Sequence, residues 1–258
     1  MKQFLRKIYW VLSAQFGLDP RRLVRSLQGI PRYIVDWLRF RKTYRGNLRF
    51  FPCLHDWHEE GGATHNEYFW QDLYVARKIF AANPERHVDI GSRIDGFVAH
   101  VAAFRRIEVF DIRPITALIP GVLFTQADLM RPSEANNGYC DSLSCLHALE
   151  HFGLGRYGDP IDPQGHISGL SNMVKLLRTG GVFYLSVPVG LERVEFNAHR
   201  VFSPSALSRL VADKGLVLRE FSWMEPGEQL VQSQNLERDL SRLDKCVYAL
   251  GIFTFVKK

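Results

Sequence analysis

Two histidines and one glutamate lie close together in the segment CLHALEHFGLG, as His147, Glu150 and His151. On a helix, this reversed zinc-protease spacing would bring both imidazoles to one face, where they could hold zinc with a third ligand. The flanking sequence favours a loop, because a strand-like alternation precedes the segment and glycines follow closely. In a loop, a neutral imidazole could take a proton from a substrate hydroxyl, and we predict this catalytic role without a metal. The structural alternative is that Glu150 and His151 only hydrogen-bond the loop into place.

A glycine and two acidic residues follow the other predicted strands. Gly91 ends the first strand, where the absence of a side chain lets a ligand approach the backbone. Asp111 ends the second strand 20 residues later, and a carboxylate there can accept hydrogen bonds from both hydroxyls of a ribose. Asp128 follows the third strand and could accept a hydrogen bond from an adenine amino group. Because ligands bind beyond the carboxyl ends of strands in open α/β sheets, these residues are expected to meet at one edge.

Two polar loops and a later polar segment could bind a substrate. The loop GRYGDPIDPQGH is long and rich in glycine, which is typical of functional loops, although Asp-Pro steps also form ordinary turns. The loop FPCLHDWHEEGGATHNEYFW combines histidines, acids and aromatic residues, and a simple connector is its alternative. We predict substrate contacts by seven residues from these loops and from EFNAHR: Tyr157, Asp159, Asp162, His199, Arg200, His55 and Asp56. A packed structural role is an equal alternative for His199.

Alternating strands and helices must position these side chains. Predicted strands span 87–90, 107–111, 123–128, 139–145, 182–187, 217–223 and 245–256, and predicted helices span 68–82, 97–104 and 168–177. A further helix begins at Pro204 with Ser203 as its N-cap. This alternation predicts a parallel sheet with helices on both faces, interrupted by a polar insertion at 225–244. We place a basic helical extension with its connecting loop at 1–82 and the α/β domain at 83–258.

The N-terminal segment carries most of the positive charge. Residues 1–50 hold 12 of the 33 Lys and Arg residues and two of the 27 Asp and Glu residues, so the remainder has a formal charge of −4. Apolar spacing predicts two or three helices here, one starting at Asp19–Pro20, with breaks at 29–31 and 45–46. A basic amphipathic segment could lie on an anionic membrane, or it could be a packed extension with a solvated basic face. The acidic remainder argues against nucleic acid as a partner.

Composition sets the remaining limits. The chain has 258 residues, of which 46% are hydrophobic, and this is enough for one sizeable core. No apolar stretch reaches the ~18 residues of a membrane span. The four cysteines are sparse and form no C-x-x-C pair, so we expect reduced thiols in a cytoplasmic protein. The sequence leaves the oligomeric state open.

Several motifs resemble those of class I S-adenosylmethionine-dependent methyltransferases, in order and at the usual spacing: VDIGSRIDG, VFDIRP, FTQADL, SLSCLHALEHFGLG and LLRTGGVFYLSVPVG. The similarity covers about residues 86–223. The longer signatures PCLHDW, EHFGLGRYGDPIDP and FNAHRVF resemble the methyltransferase-like family labelled domain of unknown function 268, DUF268. The resemblance implies a Rossmann-like α/β fold, with a mostly parallel seven-stranded sheet flanked by helices, and an N-terminal helical extension. It also implies S-adenosylmethionine as the cofactor.

The same resemblance implies which residues contact the cofactor: Asp89, Gly91, Ser92, Gly96, Asp111, Ile112, Asp128 and Leu129. The residues after the first strand would shape the pocket for the methionine moiety. Asp111 would hold the ribose, and Asp128 with Leu129 would bracket the adenine.

The glycine pattern after the first strand departs from the family norm of D-x-G-x-G-x-G. Arg93 takes the place of the second glycine, Asp95 takes the place of the third, and Gly96 comes one position late. Arg93 therefore either folds outward, reaches an acidic ligand, or blocks the pocket. The last outcome would leave a methyltransferase-shaped protein without a cofactor.

The implied activity is O-methylation of a sugar or glycolipid, because members of the DUF268 family are linked to surface-polysaccharide biosynthesis. The partners expected are a small-molecule or glycan acceptor and, through residues 1–50, the inner surface of a membrane. One alternative is a catalytically inactive binding module that recruits partners through the same segment. Another is a zinc-dependent hydrolase that uses His147 and His151.

Overall fold

The computed structural model describes residues 8–62, 64–131 and 137–258. The chain divides into two compact units, Met1–Ala63 and Thr64–Lys258. The helix predicted over 68–82 belongs to the second unit. The sequence analysis placed the domain boundary after this helix, between residues 82 and 83, and that domain boundary stays a prediction. Within the described ranges, no helix combines the length and the apolar character needed to cross a bilayer.

The first unit contains one long helix, α1 (Pro20–Thr43). The predicted start of this helix is confirmed. The Asp19 carboxylate accepts hydrogen bonds from the backbone N–H groups of Arg21 and Arg22, and Pro20 occupies the first turn, where no N–H donor is required. A short π-helical turn, Val11–Gln15, precedes it.

The predicted break at 29–31 is wrong, because α1 runs through Pro31 without interruption. Gly29 serves packing instead, since a Cβ atom there would lie 2.0 Å from the carbonyl oxygen of Leu54. Pro31 removes a single N–H donor from the helix, and the turns on either side keep their own hydrogen bonds. The predicted break at 45–46 agrees with the end of α1 at Thr43.

The second unit is built on an eight-stranded sheet in the order β3-β2-β1-β4-β5-β10-β8-β9. Its strands are β1 (His87–Ile90), β2 (Ile107–Asp111), β3 (Val122–Gln126), β4 (Cys140–Leu146), β5 (Leu177–Val189), β8 (Leu216–Met224), β9 (Val231–Gln232) and β10 (Ala249–Lys257). A separate hairpin pairs β6 (Arg193–Glu195) with β7 (His199–Val201). The first five strands of that order are parallel, and β10 is antiparallel to both of its neighbours. The predicted Rossmann-like fold is confirmed.

Helices cover both faces of this sheet. They are α2 (Glu67–Ala82), α3 (Ala99–Ala102) with the π-helical turn Ile94–Val98 before it, α4 (Gly165–Leu176), α5 (Pro204–Ala212) and α6 (Leu236–Leu243). Apolar residues of α2 and α3 are buried in one core cluster, and those of α4, α5 and α6 are buried in another. Because both faces are covered, nearly all residues of the central strands β1 and β4 are buried.

The largest difference from the predicted elements lies in the polar stretch 225–244. It contains the two-residue strand β9 and the helix α6, neither of which was predicted. Asn235 caps α6 by accepting a hydrogen bond from the backbone N–H of Arg238. Leu240 and Leu243 are buried, so two leucines on one face suffice to anchor a helix that is otherwise polar.

A chain of hydrogen bonds lies buried between β1 and β4. The Ser142 hydroxyl lies 2.8 Å from Nδ1 of His87, whose Nε2 lies 3.1 Å from the Ser144 hydroxyl. Ser144 in turn donates to the Asp89 carboxylate at 2.5 Å. Because the Ser144 hydroxyl has only one hydrogen, it accepts from His87, so Nε2 carries the proton of a neutral imidazole. We call these four residues the buried relay.

Replacing His87 tests the relay through its pH dependence. Burial lowers the pKa of His87 from 6.5 to about 3, so between these values the unfolded chain binds a proton that the native state excludes. Native stability from this group is therefore lost as the pH falls below about 6.5. Between pH 7 and pH 5, we expect the wild type to lose about 2 kcal/mol relative to a His87→Asn variant. Chemical unfolding of both proteins at both pH values measures this, and an identical pH response would contradict it.

Candidate functional site

A cavity of about 520 Å³ lies at the carboxyl ends of β3, β2, β1 and β4, and we call it the strand-end cavity. Its walls include ten residues that the sequence predicted for the site: Gly91, Ser92, Asp111, Ile112, Asp128, Leu129, His147, His151, Tyr157 and Asp159. Asp89 and Gly96 do not line it. The sheet thus brings together side chains that are far apart in the chain, as expected for ligand sites in open α/β folds.

Asp89 organises the turn under the cavity. It is fully buried and accepts hydrogen bonds from the backbone N–H and hydroxyl of Ser92, at 3.0 and 2.6 Å, besides the bond from Ser144. Burial raises the pKa of Asp89 to about 7, although these hydrogen bonds oppose the shift. Gly91 then turns the chain with a φ of +70°. An added Cβ atom at Gly91 would lie only 3.0 Å from the Cβ of Ala148, so the turn favours glycine on both counts.

Gly96 allows the backbone to pass close to a side chain of α2. A Cβ atom on this residue would lie 2.4 Å from a carboxylate oxygen of Asp72 on α2. Burial raises the pKa of Asp72, and Gln71 donates a hydrogen bond to it at 3.0 Å. The late glycine therefore admits a buried carboxylate from α2 beside the turn after β1.

Asp111 lies on the cavity wall at the end of β2, and Arg113 occupies its carboxylate. The guanidinium of Arg113 donates to both carboxylate oxygens, at 3.0 and 2.6 Å, and the backbone N–H of Arg113 donates at 2.8 Å. Arg113 also donates to the Gly91 carbonyl at 3.3 Å. Such paired charge-assisted bonds are strong ones, so a ligand that binds Asp111 must compete with Arg113.

Arg93 leaves the cavity open. Its guanidinium donates to both carboxylate oxygens of Asp95, at 3.1 and 2.8 Å. These are the two residues that replace the expected second and third glycines, and they neutralise each other. The Arg93 side chain is 51% exposed, so it forms part of the cavity rim and does not fill the cavity.

Asp128 has a largely local role in this structure. Its carboxylate accepts a hydrogen bond from the backbone N–H of Met130 at 2.9 Å, and Arg131 lies 3.3 Å away. Leu129 beside it also lines the cavity and supplies an apolar surface. The pair could border a flat ring, because one residue offers an acceptor and the other offers packing.

The loop after β4 contains a buried ion pair. Nδ1 of His147 lies 2.8 Å from Glu150, and both side chains are nearly inaccessible to solvent, at 4% and 1% exposed. Burial lowers the pKa of His147, but the Glu150 carboxylate outweighs burial and the net pKa is raised. Nε2 of His147 and Oε2 of Glu150 have no hydrogen-bond partner among the described residues. The His147 ring packs on Tyr68, with ring centroids 4.6 Å apart.

The hydrogen bonding of His151 leaves one ring nitrogen free to accept a proton. Its Nδ1 lies 2.7 Å from the carbonyl oxygen of Ala198, and a carbonyl only accepts, so Nδ1 carries the proton. Nε2 is then the basic nitrogen, 3.7 Å from Glu150. Burial lowers the pKa of His151, which keeps the imidazole neutral near pH 7 and able to accept a proton.

The local backbone lacks the helix that a zinc site would require. Residues Leu149–His151 form a single 3₁₀ turn, and His147 precedes it with a φ of +51°. The two imidazoles therefore do not lie one turn apart on a helix. Both Nδ1 atoms are engaged, one by Glu150 and one by Ala198.

Residues 124–247 match the family model described as "Caenorhabditis protein of unknown function, DUF268". The match covers 124 of the chain's 258 residues, so the similarity to DUF268 applies to this segment. The match includes the His147–His151 loop and the polar loop that follows it, but β1 and β2 lie outside it. No curated protein matches this sequence.

Solved structures share the fold of this chain. The 1,6-didemethyltoxoflavin-N1-methyltransferase of Burkholderia thailandensis, solved with 1,6-didemethyltoxoflavin and S-adenosylhomocysteine, has a TM-score of 0.50 at 14% identity, over 89% of this chain and 90% of that chain. A geranyl diphosphate methyltransferase in complex with S-adenosylmethionine has a TM-score of 0.53 at 11% identity, over 73% of this chain and 84% of that chain. At identities this low, the structural similarity establishes only the class I methyltransferase fold. The activity has to be inferred from the site.

The polar loop of the DUF268 segment uses its two aspartates differently. Asp159 accepts hydrogen bonds from three backbone N–H groups, those of Gly153, Gly155 and Tyr157, at 2.8, 3.1 and 3.1 Å. Asp162 accepts one, from Gln164. Asp159 and Tyr157 line the cavity, and Asp162 does not. A substrate role for these residues stays a prediction, and the observed role of Asp159 is to shape the loop.

Arg200 and His199 lie on β7. Arg200 is buried, and it donates hydrogen bonds to the carbonyl oxygens of Phe152, at 2.5 Å, and of Pro163, at 3.3 Å. It therefore joins both ends of the polar loop to β7. Burial lowers the pKa of His199, whose ring packs edge-on against Tyr248. Neither residue lines the cavity, and substrate contact by either stays a prediction.

His55 and Asp56 belong to the first unit. With Glu59 they form the one group of potential metal ligands among the described residues. Arg22 occupies this position, because its guanidinium lies 2.9 and 2.7 Å from Nε2 of His55. The strand-end cavity is lined by second-unit residues alone, so these two predicted substrate residues are not part of its wall.

Sequence reasoning missed three polar residues of the cavity wall: Tyr68, Arg113 and Arg156. Tyr68 lies at the start of α2, and its N-cap Asn66 was a usable signal for where that helix begins. Arg113 follows Asp111 by two positions, a spacing that allows a side chain to fold back onto its neighbour. That contact depends on backbone geometry which the sequence does not fix.

The two aspartates of the polar loop give a matched pair of variants. Asp159→Ala leaves three backbone donors without their acceptor, and we expect a loss of about 2 kcal/mol in the free energy of unfolding with faster amide exchange over residues 153–157. Asp162→Ala removes a single bond and should cost less than about 1 kcal/mol. Chemical unfolding and hydrogen exchange measure both effects. Equal losses in the two variants would contradict the loop-shaping role of Asp159.

Proposed function

We propose that this protein is an S-adenosylmethionine-dependent methyltransferase that methylates a hydroxyl group. The observation that carries the proposal is the position of Asp111 on the cavity wall, at the end of β2 and beside the glycine turn after β1. A carboxylate there suits the two hydroxyls of a ribose, and a backbone turn without a side chain admits a ligand closely. The likeness to methyltransferases that bind S-adenosylmethionine or S-adenosylhomocysteine supports this reading.

The residues present fit such a cofactor under one condition. Asp111 would hold the ribose, Ile112 and Leu129 would pack against the adenine, and Asp128 would accept from its amino group. The turn at Gly91 and Ser92 would border the methionine part. Arg113 must release at least one oxygen of Asp111, exchanging its hydrogen bond for one from a ribose hydroxyl.

His151 would supply the proton transfer. When bound, S-adenosylmethionine offers an activated methyl group, and the acceptor hydroxyl must lose its proton as it is methylated. Nε2 of His151 is placed to take that proton because Nδ1 is fixed by Ala198. Glu150, 3.7 Å from Nε2, would stabilise the imidazolium that forms. Orientation of the two reactants in the cavity would also contribute to the rate enhancement.

We propose a sugar or glycolipid as the acceptor, in surface-polysaccharide biosynthesis. Tyr157 lines the cavity beside His151, with ring centroids 5.3 Å apart, and an aromatic face suits the apolar side of a sugar ring. The net charge of −4 outside residues 1–50 argues against nucleic acid as the acceptor.

A non-catalytic binding module is the second candidate, and one specific observation favours it. Arg113 already satisfies both oxygens of Asp111, so the ribose site is closed by the chain itself. If that pair never opens, the fold would bind partners without the cofactor.

Calorimetry with S-adenosylhomocysteine separates the two candidates. We expect saturable binding by the wild type and at least tenfold weaker binding by Asp111→Ala, because the ribose loses its acceptor. Glu108→Gln is the matched control, since Glu108 lies on the same strand but accepts a hydrogen bond from Tyr139. Absence of binding by the wild type, or unchanged affinity in Asp111→Ala, would remove the methyltransferase proposal.

We further propose that α1 places the protein on the inner surface of an anionic membrane. Four apolar residues recur on one side of this helix, and each is about half exposed to solvent. They are Leu23, Leu27, Ile34 and Leu38, whose exposed fractions are 61, 57, 47 and 51%. The helix also carries seven Arg and Lys residues and a single acid, Asp36. An exposed apolar stripe beside basic residues suits the headgroup region of an anionic bilayer.

Vesicle co-sedimentation tests the membrane contact. We expect the full chain to bind phosphatidylglycerol-containing vesicles at least tenfold more tightly than phosphatidylcholine vesicles, and Leu27→Glu with Ile34→Glu to abolish the binding. Leu191→Glu, a change at an exposed leucine of the second unit, is the control. Equal binding to both lipids, or binding that survives the double change, would contradict the proposal.

A further inference from the structure

Three arginines border the strand-end cavity, and only one has no carboxylate partner. Arg93 is paired with Asp95, and Arg113 is paired with Asp111. Within the described ranges, no ion pair involves Arg156, whose Nη1 donates to the Ala198 carbonyl at 2.8 Å. A guanidinium has five N–H donors, so a single carbonyl leaves most of them available.

Arg156 and Arg113 both contact the ring of Tyr157. Their guanidinium carbons lie 5.1 and 4.6 Å from its ring centroid, within the range of cation–π contact. Tyr157 packs edge-on against His151. The two cations therefore contact the ring that packs against the imidazole proposed to accept the proton.

Cofactor loading would add to this positive charge, an argument that rests on the proposed function. When ribose hydroxyls bind Asp111, Arg113 gives up at least one of its hydrogen bonds to that carboxylate. Two arginines with free donors would then border the site, which also holds the positive sulfonium of the cofactor. Unpaired charges in a partly enclosed site are unfavourable unless a counter-charge arrives.

We propose that the acceptor is anionic, with a carboxylate or phosphate that binds Arg156 and, once the cofactor is loaded, Arg113 as well. The anion would anchor the molecule while a neighbouring hydroxyl meets Nε2 of His151. Both guanidiniums offer paired donors that match a planar carboxylate or a phosphate. Amine acceptors that carry a positive charge would be excluded by the same residues.

The coupling between the two sites is the distinctive consequence. Since Arg113 is shared between Asp111 and the acceptor, cofactor and anion should each raise the affinity for the other. A purely structural role for Arg156, as a donor that holds Ala198, gives no reason for anion selectivity or for such coupling.

Titration calorimetry with three probes tests the proposal on the full chain: D-glucuronate, D-glucose 6-phosphate and the neutral D-glucose, each with and without saturating S-adenosylhomocysteine. We expect at least one anion to bind tenfold or more tightly than D-glucose, and its Kd to fall at least threefold when S-adenosylhomocysteine is present. The two anionic probes distinguish a carboxylate from a phosphate. If neither anion binds better than D-glucose, the proposal is wrong.

Two variants and one control locate the effect. Arg156→Gln should remove the preference for anions and leave the Kd for S-adenosylhomocysteine unchanged. Arg113→Gln should tighten S-adenosylhomocysteine, because Asp111 is freed, and should abolish the coupling. Arg219→Gln, a change at an exposed arginine of β8, should alter neither. Anion binding that survives Arg156→Gln overturns the proposal.

Failure of the proposed function gives a different pattern. If the wild type does not bind S-adenosylhomocysteine, the methyltransferase assignment and the coupling are both wrong. Anion binding that depends on Arg156 would still support an anion site, in a module without catalysis.

Discussion

The candidate site depends on hydrogen bonds that converge on one buried carboxylate. Asp89 joins β1 to β4 through Ser144 and holds the turn after β1 through Ser92, so the positions of Gly91 and of the His147 loop are set together. Burying a carboxylate is costly unless donors satisfy it, and here the donors are Ser144 on β4 and Ser92 in the turn after β1. The same bonds that complete the sheet therefore shape the floor of the cavity.

Six charged groups near the cavity are paired by neighbours only two or three positions away, whereas Arg156 has no such pair among the described residues. Arg93 with Asp95, Arg113 with Asp111 and His147 with Glu150 each form a local ion pair. Short separations make such pairs easy to form but also easy to exchange, since only a side chain has to move. The opposite charges of these pairs offset each other when no ligand is bound. A ligand that binds one partner of a pair would change the local charge.

Much of the fold was predictable because buried parallel strands are apolar runs with polar residues at their ends. The strands His87–Ile90 and Ile107–Asp111 agree residue for residue with prediction, and Ser203 and Pro204 begin α5 as predicted. Prediction failed where tertiary contacts override local signals. Pro31 did not end α1, and the pairing of Arg113 with Asp111 depends on a backbone turn that composition does not reveal.

One backbone atom carries two functional contacts in this protein. The carbonyl oxygen of Ala198, between β6 and β7, accepts from both His151 and Arg156. Both contacts use the backbone carbonyl and not the side chain of Ala198, so many residue types could replace this alanine and keep both hydrogen bonds. A change in the length of that hairpin turn would instead displace the side chains of His151 and Arg156 together. Variation among relatives should therefore be freer in the identity of this residue than in the number of residues around it.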